Sequence, residues 1–205
     1  MTADVHIAVE GPMGAGKTGL AQRLSASLGT RLLLEQPAEN PFLADFYTRS
    51  PHPALATEIS FLLQRHAQWR SISLHQGVVS DFYGAKGEIF APLTLPPAEL
   101  TLYRQVVQAI DSRPPTPDLL IFLHAPLDTL WARVQRRHAS YEARLRYDYL
   151  RQVSAAYAQW RAQYPGLCLD FATDQVDFVA DPSHYKQILT CVSDVLPTRN
   201  ETPSP

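Results

Sequence analysis

Cysteine and methionine are scarce in this chain, two of each among 205 residues. Cys168 and Cys191 show none of the C-x-x-C or Cys/His spacing of a zinc site, and two are too few for a disulfide framework. They read as buried or half-buried free thiols of a reducing compartment. No apolar run reaches 18 residues, and no basic segment with an apolar core suggests a signal peptide, so a cytoplasmic location is expected and no membrane partner. Charge of one sign is also lacking: 18 Lys and Arg against 20 Asp and Glu leave a net charge of −2. That balance argues against a general nucleic-acid binder. The seven histidines are scattered, with no H-x-x-x-H pair for a protein-bound transition metal.

What is present is ordinary for one globular α/β domain, with 45% hydrophobic and 19% charged residues. That domain is expected over residues 1–196. The remaining stretch, 197–205, is rich in Pro, Thr and Ser and is expected to be disordered.

One segment stands out. Gly11-Pro12-Met13-Gly14-Ala15-Gly16-Lys17-Thr18 satisfies the G-x-x-x-x-G-K-[ST] phosphate-loop pattern. It lies between the strand-like run Val5–Val9 and a helix-like run in which Leu20, Leu24 and Leu28 recur at helical spacing. In such a loop Gly11, Gly14, Ala15 and Gly16 let successive N–H groups face phosphate oxygens, Lys17 reaches the β- and γ-phosphates, and Thr18 can hold Mg²⁺. ATP is the expected nucleotide. The overlapping G-x-G-x-x-G at Gly14–Gly19, with Glu35 downstream, also fits a dinucleotide fingerprint. The wide loop after the strand and the Lys17-Thr18 pair favour the phosphate loop.

Further apolar runs at 31–34, 78–81, 119–123 and 167–171 read as strands. Helical stripes fall between them at Ile59, Leu62, Leu63 and His66, at Leu102, Val106, Val107 and Ile110, and at Leu127, Leu130, Trp131 and Val134. Leu95-Pro96-Pro97-Ala98-Glu99 opens a helix, since proline is tolerated in a first turn. This alternation implies a parallel sheet of five strands with helices on both faces, and ligands at the carboxyl ends of the strands. Two of those ends carry acids. Glu35, near the expected γ-phosphate, could accept a proton from an attacking hydroxyl, and Asp81 is placed to help hold Mg²⁺. Arg133 and Arg137, at i and i+4, could neutralise charge on a transferring phosphoryl group from a mobile lid.

Taken together, Ile7–Gly11, Leu33-Leu34-Glu35, Asn40–Leu43 with Phe46-Tyr47, Phe61–Arg65, Ser80–Tyr83 with Lys86, Ile89-Phe90-Ala91, Arg133–Glu142, Tyr149-Leu150 and Asp177-Phe178 resemble the bacterial deoxynucleoside kinases related to deoxycytidine and deoxyguanosine kinases. The resemblance implies a P-loop kinase fold with an arginine-bearing lid. It implies ATP-dependent phosphorylation of a 2′-deoxynucleoside on its 5′-hydroxyl, with Glu35 as base. It places Tyr47 and Glu142 at the sugar 3′-hydroxyl, Arg65 in the base pocket and Arg133 and Arg137 in the lid, and it suggests a homodimer.

Two departures limit the transfer. Where many relatives have an acid-arginine pair this chain has Asp81-Phe82, and Lys86 is the candidate substitute. Glu58 stands seven residues before Arg65, where relatives usually place a base-reading glutamine; a charged carboxylate there favours deoxyguanosine, whereas a protonated one admits deoxyadenosine or deoxycytidine. Two other readings compete: a thymidylate-like nucleoside monophosphate kinase, and a nucleotide-binding switch without a phosphoryl acceptor. The acid at Glu35 favours a neutral hydroxyl acceptor over an anionic monophosphate.

Overall fold

In the computed structural model, which describes residues 5–47, 53–72, 76–84, 86–110 and 115–196, the central strand β1, His6–Glu10, is buried along its whole length. Its apolar residues leave it no wet face, as expected for a strand covered by helices on both sides. The other strands are β2, Arg31–Leu33; β3, Val78–Ser80; β4, Leu119–His124; and β5, Cys168–Ala172. All pair in parallel in the order β2-β3-β1-β4-β5. The five strands expected from the sequence are all present, with ends shifted by about one residue. The stretch 197–205 lies outside the described residues.

The helices are α1, Lys17–Leu28; α2, Leu43–Phe46; α3, Ala54–Arg70; α4, Gly87–Thr94; α5, Pro97–Ala109; α6, Leu127–Arg137; α7, Tyr147–Gln163; and α8, Pro182–Val195. Side chains alternate between faces along a strand, and β4 shows it. Leu119, Ile121 and Leu123 join the core with Leu20 and Leu24 of α1 and Ile188 of α8. Phe122 points the other way, onto Ile89 of α4 and Val153 and Tyr157 of α7. Pro97 occupies the first position of α5, as the Pro-Pro signal implied. The thiols are both free; Cys168 is half-buried, but Cys191 is exposed on the outer side of α8, contrary to expectation.

Strand order places the site. From β1 the chain moves to the edge at β2, returns to β3 beside β1, then crosses to β4 on the far side. The carboxyl ends of β1, β2 and β3 therefore open on one crevice, where ligands of such sheets bind.

The inner strands also bury a histidine. His6 is 3% exposed, stacks edge-on to Trp69 with ring centres 4.6 Å apart, and lies 3.2 Å from the Ser80 hydroxyl. That hydroxyl donates its single proton to the Phe82 carbonyl at 2.8 Å, so His6 Nε2 is assigned as the donor to Ser80 and the ring as neutral. Burial lowers its pKa to about 4, against the opposing pull of Asp118. The unfolded chain takes up this proton below about pH 6.5 while the folded chain resists until about pH 4, so folding weakens as pH falls through that window. His6→Phe should remove this share, up to about 3 kcal/mol. Denaturant unfolding of both proteins across the window checks it; parallel pH dependences would count against it.

Candidate active site

The phosphate loop leaves β1 at Gly11 and enters α1 at Lys17. Gly11 has φ 146°, and a β-carbon there would lie 2.1 Å from the Leu123 carbonyl oxygen; at Gly14, φ 84°, it would lie 2.6 Å from that of Leu130. Only glycine permits both the backbone and the close approach to the neighbouring elements. Ala15 is fully buried beneath the loop. Lys17 curls over it, donating to the Gly11 carbonyl at 2.7 Å and the Pro12 carbonyl at 3.1 Å. Burial and the neighbouring Lys86 lower its pKa to about 8, against the pull of Glu10, Asp81 and Glu35.

Beside the loop the Thr18 hydroxyl donates to Asp81 Oδ2 at 2.6 Å, while Asp81 Oδ1 accepts the Glu35 backbone N–H at 2.7 Å. Asp81 thus links the loop to the segment after β2. Burial raises its pKa, partly offset by the Thr18 bond. Glu35 in turn accepts from two cations, Lys86 Nζ at 2.6 Å and Arg65 Nη1 at 3.1 Å. Burial pushes the Glu35 pKa up, but Lys86 and Arg65 outweigh it and hold the carboxyl at about 2. The group is ionised at neutral pH.

A cavity of about 540 Å³ runs from the phosphate loop past Glu35 to α3. Of the residues expected in the site, Gly14, Gly16, Lys17, Thr18, Glu35, Tyr47, Glu58, Arg65, Asp81, Lys86, Arg137 and Glu142 line it. Tyr47 and Glu142, 95 positions apart in sequence, meet there; burial first, and then the Glu142 charge, raise the Tyr47 pKa. Arg137 holds Glu142 through both its Nε and Nη2.

Arg133 behaves differently. Its guanidinium donates to the Thr173 hydroxyl and carbonyl, each at 2.7 Å, and reaches the Gly14 carbonyl at 3.5 Å. It does not line the cavity. Arg133 and Arg137 share a face of α6, yet Arg133 ties that helix to the residues after β5 and only Arg137 faces the crevice.

Some residues escaped the sequence reading. Glu10 is fully buried and accepts three hydrogen bonds, from Gly11 N at 2.9 Å, Tyr83 N at 2.8 Å and the Tyr157 hydroxyl at 2.8 Å. An acid closing a buried apolar strand, just before the glycine loop, was the available signal. Phe61, Phe90, Tyr141 and Tyr149 also line the cavity, but an aromatic at helical spacing does not reveal whether it faces a core or a ligand.

The family model described as Deoxynucleoside kinase matches residues 7–197, nearly the whole chain. This chain belongs to that family. Among curated relatives, deoxyguanosine kinase of Bacillus subtilis is 32% identical over 96% of this chain and 100% of its own length. The deoxyadenosine/deoxycytidine kinase of the same organism is 26% identical over 93% of this chain and 92% of its own. A solved deoxyadenosine kinase from M. mycoides with bound dATP superposes with a TM-score of 0.79 at 18% identity, covering 92% of this chain and 99% of that one. The family fold is therefore the P-loop kinase fold expected from the sequence.

In this kinase Glu10 joins β1, the segment after β3 and α7 at one point. Glu10→Gln keeps the size but turns an amide donor toward an N–H or hydroxyl donor, and should cost about 1–3 kcal/mol or more. Tyr157→Phe, which removes one donor and leaves the carboxylate two, should cost about 1 kcal/mol. Chemical unfolding ranks the pair; an equal or reversed order would mean that the carboxylate does not anchor the loops.

Proposed function

We propose that the protein transfers the γ-phosphoryl group of ATP to the 5′-hydroxyl of a 2′-deoxynucleoside, as a single-domain kinase of nucleotide salvage. The observation that carries this reading is Glu35: a half-buried, ionised carboxylate in the cavity, beside the phosphate loop. A neutral hydroxyl needs such an acceptor, whereas the oxyanion of a nucleoside monophosphate would be repelled by it. The convergence of Tyr47 and Glu142 on the cavity favours a sugar over a bare regulatory nucleotide site.

In this reading the loop N–H groups, from Gly11 through Gly16, and Lys17 bind the phosphates of ATP. Glu35 accepts the 5′-hydroxyl proton, and Lys86 and Arg65 hold its oxygens in place. A base held near pKa 2 is weak, but a loose phosphoryl-transfer transition state requires little proton removal before the new bond forms. Arg137 faces the crevice as a charge stabiliser, and Arg133 positions the lid helix through Thr173.

The donor set at Thr18 and Asp81 suits Mg²⁺. Both offer hard oxygen atoms, and Mg²⁺ usually takes one or two protein ligands, with water and substrate phosphates completing its shell. Among the described residues no group of three or more His, Cys, Asp or Glu could hold a metal alone. Bound with ATP, the ion would neutralise charge between the β- and γ-phosphates. A homodimer belongs to the same reading: Leu63 of α3 and Leu102 of α5 are large apolar side chains 47% and 46% exposed, which a partner would cover. So does a cytoplasmic setting, supported by the lack, among the described residues, of any helix long and apolar enough to cross a membrane.

A coupled ADP-release assay across deoxynucleosides and their monophosphates tests the reaction. Glu35→Gln should lower turnover by about 10²-fold or more while nucleoside binding survives. A change confined to the Michaelis constant would make Glu35 a binding group instead. If Tyr47 and Glu142 grip the 3′-hydroxyl, a 2′,3′-dideoxynucleoside leaves them unpaired in a buried site and should lose about tenfold or more in kcat/KM. Equal turnover of the two substrates would remove that assignment.

A further inference from the structure

We propose that Glu58 reads the nucleobase and that its proton selects the base, the charged carboxylate taking guanine and the neutral acid taking adenine or cytosine. This rests on the deoxynucleoside kinase reading above and goes further, to the determinant of substrate choice.

Position comes first. Glu58 and Arg65 both line the cavity from α3 and are each 4% exposed. Seven residues of helix separate them by about 10 Å, and Arg65 is the one that touches Glu35. Glu58 thus lies two turns of α3 from the arginine that holds Glu35, in the same cavity. Phe61, Phe90 and Tyr149 line the same cavity, flat surfaces suited to a planar ring.

The hydrogen bonding around Glu58 accommodates both protonation states. The Thr94 hydroxyl lies 3.0 Å from Glu58 Oε1 and 3.1 Å from the Phe90 carbonyl oxygen, and it has one proton to give. Given to Glu58, that proton serves a carboxylate. Given to Phe90, it leaves the hydroxyl oxygen free to accept from a protonated Glu58. Neither state requires a heavy atom to move. When a base is bound, Thr94 donates to Oε1 in both cases, and Oε2 either carries or lacks the proton that meets the ring nitrogen.

The surrounding groups leave the two states close in energy. Burial is the largest influence and disfavours the charge. Arg65 on the same helix, the Thr94 bond from α4 and Lys86 before it favour the charge, while Glu35 opposes it. The hydroxyls of Tyr47, Tyr103 and Tyr149, from the end of α2, from α5 and from α7, also feel it. The balance pushes the Glu58 carboxyl up to about 7. Ionised, it offers acceptors only, matching the adjacent N1–H and amine of guanine. Protonated, it offers one donor and one acceptor, matching the ring nitrogen and amine of adenine or cytosine.

The test is kcat/KM for the four deoxynucleosides between about pH 5.5 and about pH 8.5, spanning neutrality. In the wild-type enzyme the ratio of deoxyguanosine to deoxyadenosine should rise by about tenfold or more across that range, along one ionisation. Glu58→Gln, a fixed donor and acceptor, should flatten the ratio and favour deoxyadenosine or deoxycytidine. A flat wild-type ratio, or an unchanged slope in Glu58→Gln, overturns the proposal; the wild-type measurement decides it even if the variant fails to fold. Absence of turnover with any deoxynucleoside would instead overturn the kinase reading and this proposal with it.

Discussion

Three hydrogen bonds converge on one buried carboxylate, and the geometry of the active end of the sheet depends on them. Glu10 ends β1, where the phosphate loop begins, and its oxygens accept from Gly11, from Tyr83 after β3 and from Tyr157 of α7. Two of the donors are backbone N–H groups past the ends of β1 and β3, and that of Gly11 is buried, where a donor must find a partner. One side chain thus sets the origin of the phosphate loop relative to the segment that carries Asp81 and Lys86. The charge of Glu10 also favours the protonated forms of Lys17 and Lys86, which lie too close together to be comfortable alone.

Within that frame, carboxyl groups of the same intrinsic acidity are driven apart by their partners. Glu35 sits between Lys86 and Arg65 and is held near 2, whereas Glu58, two helical turns away on the other side of Arg65, has lost water without gaining a contact cation and rises to about 7. Burial acts on both in the same direction; the cation contacts separate them. The separation divides the cavity into an end that is always anionic, suited to taking a proton from an alcohol, and an end whose charge is adjustable, suited to discriminating among ligands.

Much of this was legible in the sequence. The phosphate loop is local, its glycines imposed by backbone geometry, and the parallel strands are short apolar runs that only a doubly covered sheet can bury. Glu35 and Asp81 were legible because each follows such a run. What was not legible depends on tertiary contact. α4 contains Pro92 and starts at a glycine, poor local signals, yet Ile89 and Ala91 pack it against neighbouring helices. The different roles of Arg133 and Arg137 could not be read from a shared helix face, because they depend on Thr173 and Glu142, which lie on other segments. Cys191 was expected indoors from its residue type, but it falls on the solvent side of α8.

Phenylalanine follows Asp81, and the positive charge beside Glu35 comes from elsewhere in the chain. Phe82 is fully buried and packs with Leu33, Val78 and the ring of Trp69, so a guanidinium at that position would lose its water and point into an apolar cluster. The cation beside Glu35 comes instead from Lys86, four residues later, where the chain has turned back toward the cavity before entering α4. Arg65 supplies a second from α3 on the opposite side. A single arginine fork could hold both carboxylate oxygens from one direction; here two cations from separate elements take one oxygen each. The carboxylate is then fixed only when α3 and the segment before α4 are both in place, which makes its orientation a consequence of the closed fold. Arg65 also acts on Glu58 from the same helix, favouring its charged form.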